Sequence, residues 1–465
     1  MNRLTHRARL ALATVACAAP LFAGACTFKD QLLQPQQPQI ILPEDAGGVA
    51  GAEALYLGSL GRLKSWAVGG NVNQESLWPM LSLMTDEFKS TDTFSQRNET
   101  DQRSVQTNDA LVLSVYTQAQ QGRGYAQDAI NALFKSEPTA TGKIGEMYFA
   151  LGFAEMQLAE DFCNGLPFGL TISGVPNYTS PLSSADAMKL AIVHLDSAIN
   201  LASGTDAISV NAKNAALITK GRAQVFLSQW PAAATTVASV ATTYQYAITF
   251  LAGSTSDANG FWIMTTNSQR YSVGDSVDAS GQIANAIPFA SAKDPRVPAA
   301  NGTTLSPVLK PFDAQTLPYF VQQMFGRNDP IALVDGLDAR LIEAEAKLQA
   351  ADYAGMMTIL NALRTSPPTQ GIFKPAALAA IATTPATKDA ATTLFFREKA
   401  FWTFSRGQRF GDLRRLVRQY NRTANQVWPS GTFHKGGVYG PDVNWPVTDN
   451  EKTNPNFTGC SDRSA

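Results

Sequence analysis

The feature that most limits what this chain can fold into is a series of alanine-rich stretches with helical spacing. In 184–202, apolar side chains fall at Ala187, Leu190, Ala191, Leu195, Ala198 and Ala202, along one helical face. Ser183, with Asp186 three residues on, has the form of a helix start, and Gly204 supplies a stop. Residues 337–351 repeat the spacing through Leu337, Leu341, Ala344, Leu348 and Ala351. Asp352 breaks the period, and Tyr353, Met356, Met357, Leu360 and Leu363 begin another. Segments 110–133, 142–160, 212–230 and 232–243 read as further helices.

Alanine-rich helices in tandem predict TPR-like hairpins, because small side chains let two helices approach closely. The spacing is not a regular repeat, since NGLPFGLTISGVPNYTSP (164–181) interrupts one pair. The expected fold is therefore mainly α: a TPR-like helix-pair scaffold carrying long irregular loop insertions. Residues 64–108 and 250–334 are the largest of these insertions. Such segments on a rigid scaffold are where binding concentrates. Hydrophobic residues at 45% support a large core. The 37 basic and 38 acidic side chains give no footprint for nucleic acid.

The first 25 residues read as a secretory signal. Arg3, Arg7 and Arg9 precede a 16-residue apolar stretch, too short for a spanning helix of about 20 residues. Ala23-Gly24-Ala25-Cys26 resembles a bacterial lipobox, with Ala23 where leucine is usual. That resemblance makes Cys26 the lipidated N-terminus of the mature chain. The alternative is an ordinary secretory cut after Ala25 that leaves Cys26 unmodified. Residues 26–50, rich in Gln and Pro, read as a tether, and 51–465 as a single helical domain. No aspartate follows Cys26, which by the same resemblance implies the outer membrane.

Cys17 is lost with the signal and Cys26 is assigned to lipid, leaving Cys163 and Cys460. In an oxidising compartment they are expected to pair, the alternative being two separate thiols. Two histidines remain in the mature chain. His194 lies on an apolar helical stripe, and His434 in the Gly-rich loop TFHKGG reads as a surface residue. Structural zinc wants four N or S donors, so no metal site is expected. Nucleophile-elbow, phosphate-loop and dinucleotide fingerprints are absent, so no cofactor is expected. The adjacent carboxylates Asp86-Glu87 and Glu160-Asp161 read as solvated faces.

The C-terminal part, about 330–465, resembles the SusD/RagB family of nutrient-binding outer-membrane lipoproteins. The resemblance rests on FREKAFWTFSRGQRFGDLRRL (396–416), where Glu398, Gly407, Arg409, Asp412, Leu413 and Arg415 fall at the family's spacing. Lys399 stands where the family has Arg. Arg406 stands where it has Glu, which removes one internal ion pair. ARLIEAEAKLQAADYAGMMTILNALR (339–364) resembles the family's last helix pair, and WPVTDNEKTNPN (445–456) its closing segment. Read without the family, the Arg409–Arg415 charges form a structural network that ties a helix end to the following tail, near the surface.

The resemblance implies a SusD-like fold and a non-enzymatic role. The protein would capture an oligosaccharide or similar nutrient at the cell exterior and deliver it to a SusC-like TonB-dependent barrel transporter. Competing readings are a TPR-like scaffold that binds only protein and a secreted carboxylate-dependent glycoside hydrolase. Sugar capture uses aromatic faces together with polar side chains that grip hydroxyls. The expected ligand residues are Trp66, Asn71, Trp78, Phe94, Arg97, Asp101 and Arg103 in the first irregular segment. Trp262, Tyr271 and Arg327 are their counterparts in the second.

Overall fold

The computed structural model describes residues 47–69, 75–172, 175–253 and 257–465. The signal, Cys26, nearly all of the expected tether and Asn71 lie outside the described residues. Fourteen α-helices are distributed along the described chain. In chain order α1 is Gly48–Val68, α2 Leu77–Leu83, α3 Ser95–Asp101, α4 Ala110–Ser136 and α5 Thr141–Asp161. Next come α6 Ser184–Leu201, α7 Ala207–Phe226, α8 Trp230–Val237 and the single turn α9 Gly260–Trp262. The series ends with α10 Gly336–Gln349, α11 Tyr353–Thr365, α12 Lys388–Trp402, α13 Arg409–Tyr420 and α14 Ala424–Val427.

Helix starts follow local chemistry. Asp109, Ser183, Asp206, Asp352 and Thr387 each accept backbone N–H donors of the first turn of α4, α6, α7, α11 and α12. Asp335 and Asp338 form a reciprocal capping box at α10. The cap at Asp206 starts α7 five residues before the expected 212. Ser228, in left-handed backbone at φ 61°, follows its end. The expected helix 232–243 is shorter, ending at Val237. Helix α1 begins at Gly48, inside the segment read as tether, and runs through the start of the first insertion.

Helices pack as consecutive pairs, α5 on α6, α7 on α8 and α10 on α11, and α1 lies along α4. Helix α5 is the hub, contacting α4, α6 and α7, and most of its residues are buried. Its approach to α6 depends on a missing side chain. A Cβ on Gly152 would stand 2.8 Å from Leu195 Cγ.

Short ladders hold the insertions to this scaffold, and two smaller antiparallel pairs, β2 (Thr171–Ile172) with β3 (Val175–Pro176) and β6 (Val277–Asp278) with β7 (Gly281–Gln282), lie within the insertions. Strand β4 (Gln245–Ile248) pairs antiparallel with β10 (Ile331–Asp335), closing the second insertion at its base. Strand β1 (Phe88–Ser90) pairs with β5 (Tyr271–Val273), with Phe88 opposite Val273, so the two insertions are joined to each other. Strands β8 (Ala299–Asn301) and β9 (Phe320–Gln322) form a third ladder. Cys163 and Cys460 are disulfide-bonded, with Cα atoms 5.9 Å apart across 297 residues. Backbone bonds flank the bridge. Cys163 N donates to Trp445 O at 2.8 Å, and Ser461 N to Asn164 O at 2.8 Å.

The motif resembling SusD/RagB is split between α12 and α13 by a turn in which Ser405 (φ 64°) and Gly407 (φ 62°) are left-handed. A Cβ at Gly407 would collide with the Trp78 indole. The charges around this turn are buried, not near the surface as expected. Arg409 makes a bidentate pair with Asp86, Nε to Oδ1 at 2.8 Å and Nη2 to Oδ2 at 2.9 Å. Asp412 accepts Lys399 Nζ and Arg415 Nη2, both at 2.7 Å, and Arg415 also pairs with Glu345. Glu398 joins Arg296 and Arg364 at 2.7 and 2.8 Å.

Arg406, the departure from the family pattern, forms its own buried pair with Asp338 at 2.7 Å. Its Nη1 lies 3.1 Å from Asp335 without hydrogen-bond alignment. Arg414 donates to Phe162 O at 3.1 Å and to Glu160 O, and Glu160 pairs with Arg222 at 2.8 Å. The adjacent carboxylates read as solvated are thus all buried. Asp86 and Glu160 meet cations, because an unpaired buried charge is too costly to keep. Glu87 and Asp161 instead accept Ser405 N at 3.0 Å and Gln157 Nε2 at 2.9 Å, and burial raises both carboxyls, Glu87 to about 8. The network reaches α5, α10 and the first insertion.

Breaking such a pair strands a charge. Asp86→Ala is expected to lower stability by about 3–5 kcal/mol, read as a fall in the urea midpoint. Gly407→Ala is expected to lower it in the same direction, through the clash with Trp78.

Candidate ligand-binding site

The β1–β5 ladder brings the two insertions together, and the loop 430–437 closes over them. His434 Nε2–H donates to Ser90 O at 2.9 Å, at the end of β1. Between these three pieces lies a pocket of about 380 Å³. The first insertion contributes Asp92 and Thr93 to its lining, and the last loop contributes His434 and Lys435. The second insertion contributes Ala279, Asp313, Gln315, Thr316 and Leu317.

Asp92 organises the pocket. Arg270 Nη1 donates to both of its carboxylate oxygens at 2.7 Å, and Arg97 Nη1 donates to Oδ2. Burial pulls the Asp92 carboxyl upward, but the Arg270 and Arg97 contacts outweigh it and hold the group below its ordinary range. Arg97 also reaches Glu75 through Nε at 2.7 Å. Lys435 Nζ donates to Asp313 Oδ2 at 2.6 Å and to the Asp92 carbonyl. Asp313 further accepts Gln315 N and Thr316 N, both at 2.9 Å. Burial raises the Asp313 carboxyl too, and the Lys435 and Thr316 bonds overcome it, so this group is also held low.

Two exposed rings stand next in sequence to lining residues. Phe94 is 45% exposed and Phe312 is 48% exposed. Each carries a guanidinium on one side, Arg97 at 5.6 Å from the Phe94 centroid and Arg270 at 4.0 Å from that of Phe312. One buried aspartate thus fixes two arginines, and each arginine backs an exposed ring.

The sequence-predicted residues separate clearly. Phe94 and Arg97 reach this region. Trp66, Trp78 and Tyr271 are core side chains, at 2%, 0% and 0% exposure, and offer no ring face to a ligand. Trp66 packs 5.7 Å from Phe153, and Trp78 fills the space beside Gly407. Asp101 is buried, accepts Ser90 N at 2.6 Å, and is pushed up to about 8 by burial. Arg103 is buried in left-handed backbone (φ 59°) and donates to Asp442 O at 3.2 Å, pinning the tail. Trp262 and Arg327 are half-buried together, the guanidinium 6.0 Å from the indole, and neither lines the pocket.

Sequence reading missed Asp92, Arg270, Phe312, Asp313 and Lys435. Their one signal was an aromatic beside an aspartate in an irregular segment, as at Phe312-Asp313. His434 is corrected as well: its side chain is 3% exposed, and burial lowers the imidazole to about 4. His194 bonds the buried Glu155 at 2.6 Å. Among the described residues no group of three or more His, Cys, Asp or Glu converges to hold a metal. No described helix is long and apolar enough to cross a membrane.

No family model matches the sequence, and no curated protein matches it. Solved structures do. A SusD-like carbohydrate binding protein from Bacteroides vulgatus is 13% identical, with 89% of this chain and 98% of that one covered at a TM-score of 0.63. A SusD-like carbohydrate binding protein from Bacteroides fragilis is 14% identical, covering 88% and 98% at 0.61. A SusD superfamily protein from Parabacteroides distasonis is 14% identical, covering 88% and 98% at 0.60. At these identities the likeness is one of fold: the chain has the SusD fold, a helical TPR-like scaffold.

His434 gives this region a pH signature. The unfolded imidazole takes a proton below about pH 6.5, whereas the folded one stays neutral until about 4. Its contribution is therefore full above 6.5 and falls as pH drops toward 4. The stability advantage of wild type over His434→Gln is expected to shrink by on the order of 3 kcal/mol between pH 7 and 4, measured by urea unfolding.

Proposed function

We propose that this chain is a carbohydrate-binding lipoprotein of the cell surface, related to the SusD/RagB family. It captures an oligosaccharide in the pocket next to Phe94 and Phe312 and passes it to a TonB-dependent outer-membrane barrel. The observation that carries the binding reading is the pairing of exposed rings with a polar pocket, on a fold shared with SusD-like carbohydrate binding proteins. Phenyl faces meet the C–H surfaces of sugar rings, and hydroxyl and amide groups meet sugar hydroxyls. The lipobox-like Ala23–Cys26 supports the anchor, and the motif 396–416 supports the family.

The hydrolase reading is weaker on the same geometry. A glycosidase needs one carboxyl raised so that it holds a proton to donate. Asp92 and Asp313, the carboxylates of the pocket, are both held low, Asp92 by two arginines and Asp313 by Lys435 together with Thr316 and Gln315.

Phe94→Ala and Phe312→Ala are each expected to weaken glycan binding about tenfold, equivalent to about 1.4 kcal/mol. Isothermal titration against a glycan panel reads this, with thermal melts to confirm that the variants fold. Undiminished affinity in both variants would place the ligand elsewhere. Cys26→Ala is expected to move the protein from the membrane fraction to the soluble one on fractionation of expressing cells.

A further inference from the structure

Resting on the carbohydrate-binding reading, we infer that the pocket selects neutral glycans and rejects uronate-containing or sulfated ones. The inference comes from how its charges are committed. Three cations bond the pocket's carboxylates: Lys435 in the lining, and Arg97 and Arg270 through Asp92. Three carboxylates, Glu75, Asp92 and Asp313, take them up in ion pairs of 2.7 Å or less. Arg97 bridges two of the three, and Arg270 doubles onto one. Lys435 divides its donors between the Asp313 carboxylate and the Asp92 carbonyl. His434 adds no charge at neutral pH, since burial holds its imidazole neutral.

An acidic sugar entering this pocket finds no uncommitted cation among its lining residues, where the one lysine, Lys435, is already paired with Asp313. Its carboxylate would lose water beside the Asp92 and Asp313 oxygens without a compensating charge-assisted bond. It could gain an arginine only by displacing Asp92, which would strand a buried carboxylate. Discrimination of this kind comes from the penalty on the wrong ligand. A neutral sugar meets none of it. The exposed Thr93 and Gln315 offer hydroxyl and amide partners, and Phe94 and Phe312 offer apolar faces. The arginines, backed onto these rings and fixed by Asp92, serve as supports for a stacking platform.

The test is titration calorimetry on the full chain. Neutral oligosaccharides of glucose, galactose, mannose and xylose are compared with oligogalacturonate of equal length and a chondroitin sulfate oligosaccharide. The best neutral member is expected to bind at least about tenfold tighter than either acidic one. Its Kd is expected to stay constant between about 0.01 M and 1 M salt, where screened charge attraction would collapse. Asp313→Asn, which leaves Lys435 without its carboxylate, is expected to raise the acidic-to-neutral affinity ratio several-fold. Tighter, salt-sensitive binding of an acidic glycan by wild type overturns the inference and leaves carbohydrate binding standing. An unchanged ratio in folded Asp313→Asn also overturns it. Failure of every glycan to bind overturns the binding reading and this inference together.

Discussion

The rest of the structure depends on the requirement that buried guanidinium groups be paired. Helix α13 carries Arg409, Arg414 and Arg415 into the interior, and Arg406 precedes it. Their partners lie in three other parts of the chain. Asp86 lies in the first insertion, Glu345 and Asp338 on α10, and the Glu160 and Phe162 carbonyls at the end of α5. A buried ion pair adds little net stability over well-packed apolar groups, yet losing one partner is severe. Such a network therefore fixes arrangement. It sets where the first insertion leaves the scaffold, and so where β1 can meet β5.

That dependence links the recognised motif to the site without making the motif part of it. The pocket lies where two insertions and the loop 430–437 converge, and none of its lining residues comes from 396–416. The same physical rule recurs there on a smaller scale. Asp92 in the pocket lining does for Arg97 and Arg270 what Asp86 does for Arg409. In the core the arrangement joins helices, and in the pocket it orients rings.

The helical pairs were legible in the sequence because their signals are local. Apolar spacing and acidic or hydroxyl caps predicted 142–160, 184–202 and 337–363 nearly to the residue. The end of 212–230 was displaced because the left-handed turn at Ser228 has no compositional mark. Helix α1 was missed since its apolar residues are diluted by glycine and serine. Of the candidate site, only the segments were legible: the expected ligand residues were drawn from the two irregular segments, and the pocket lies where those segments are joined. Its members were not legible, because a tryptophan in an insertion looks the same whether it packs or binds. Trp66 and Trp78 turned inward, whereas Phe312 turned outward. Only the long-range ladder β1–β5 decides which residues become neighbours.

The disulfide between Cys163 and Cys460 has a consequence for durability. It encloses 297 residues of sequence, including the second insertion and most of the helical pairs. A single proteolytic cut at any loop in that span yields two pieces that remain covalently joined. Both pieces also stay held by the buried ion pairs that cross the cut. A nicked molecule would thus keep its shape until a reductant arrived. Long surface loops are the segments most open to cleavage, and the bridge lets the fold carry them without losing either piece.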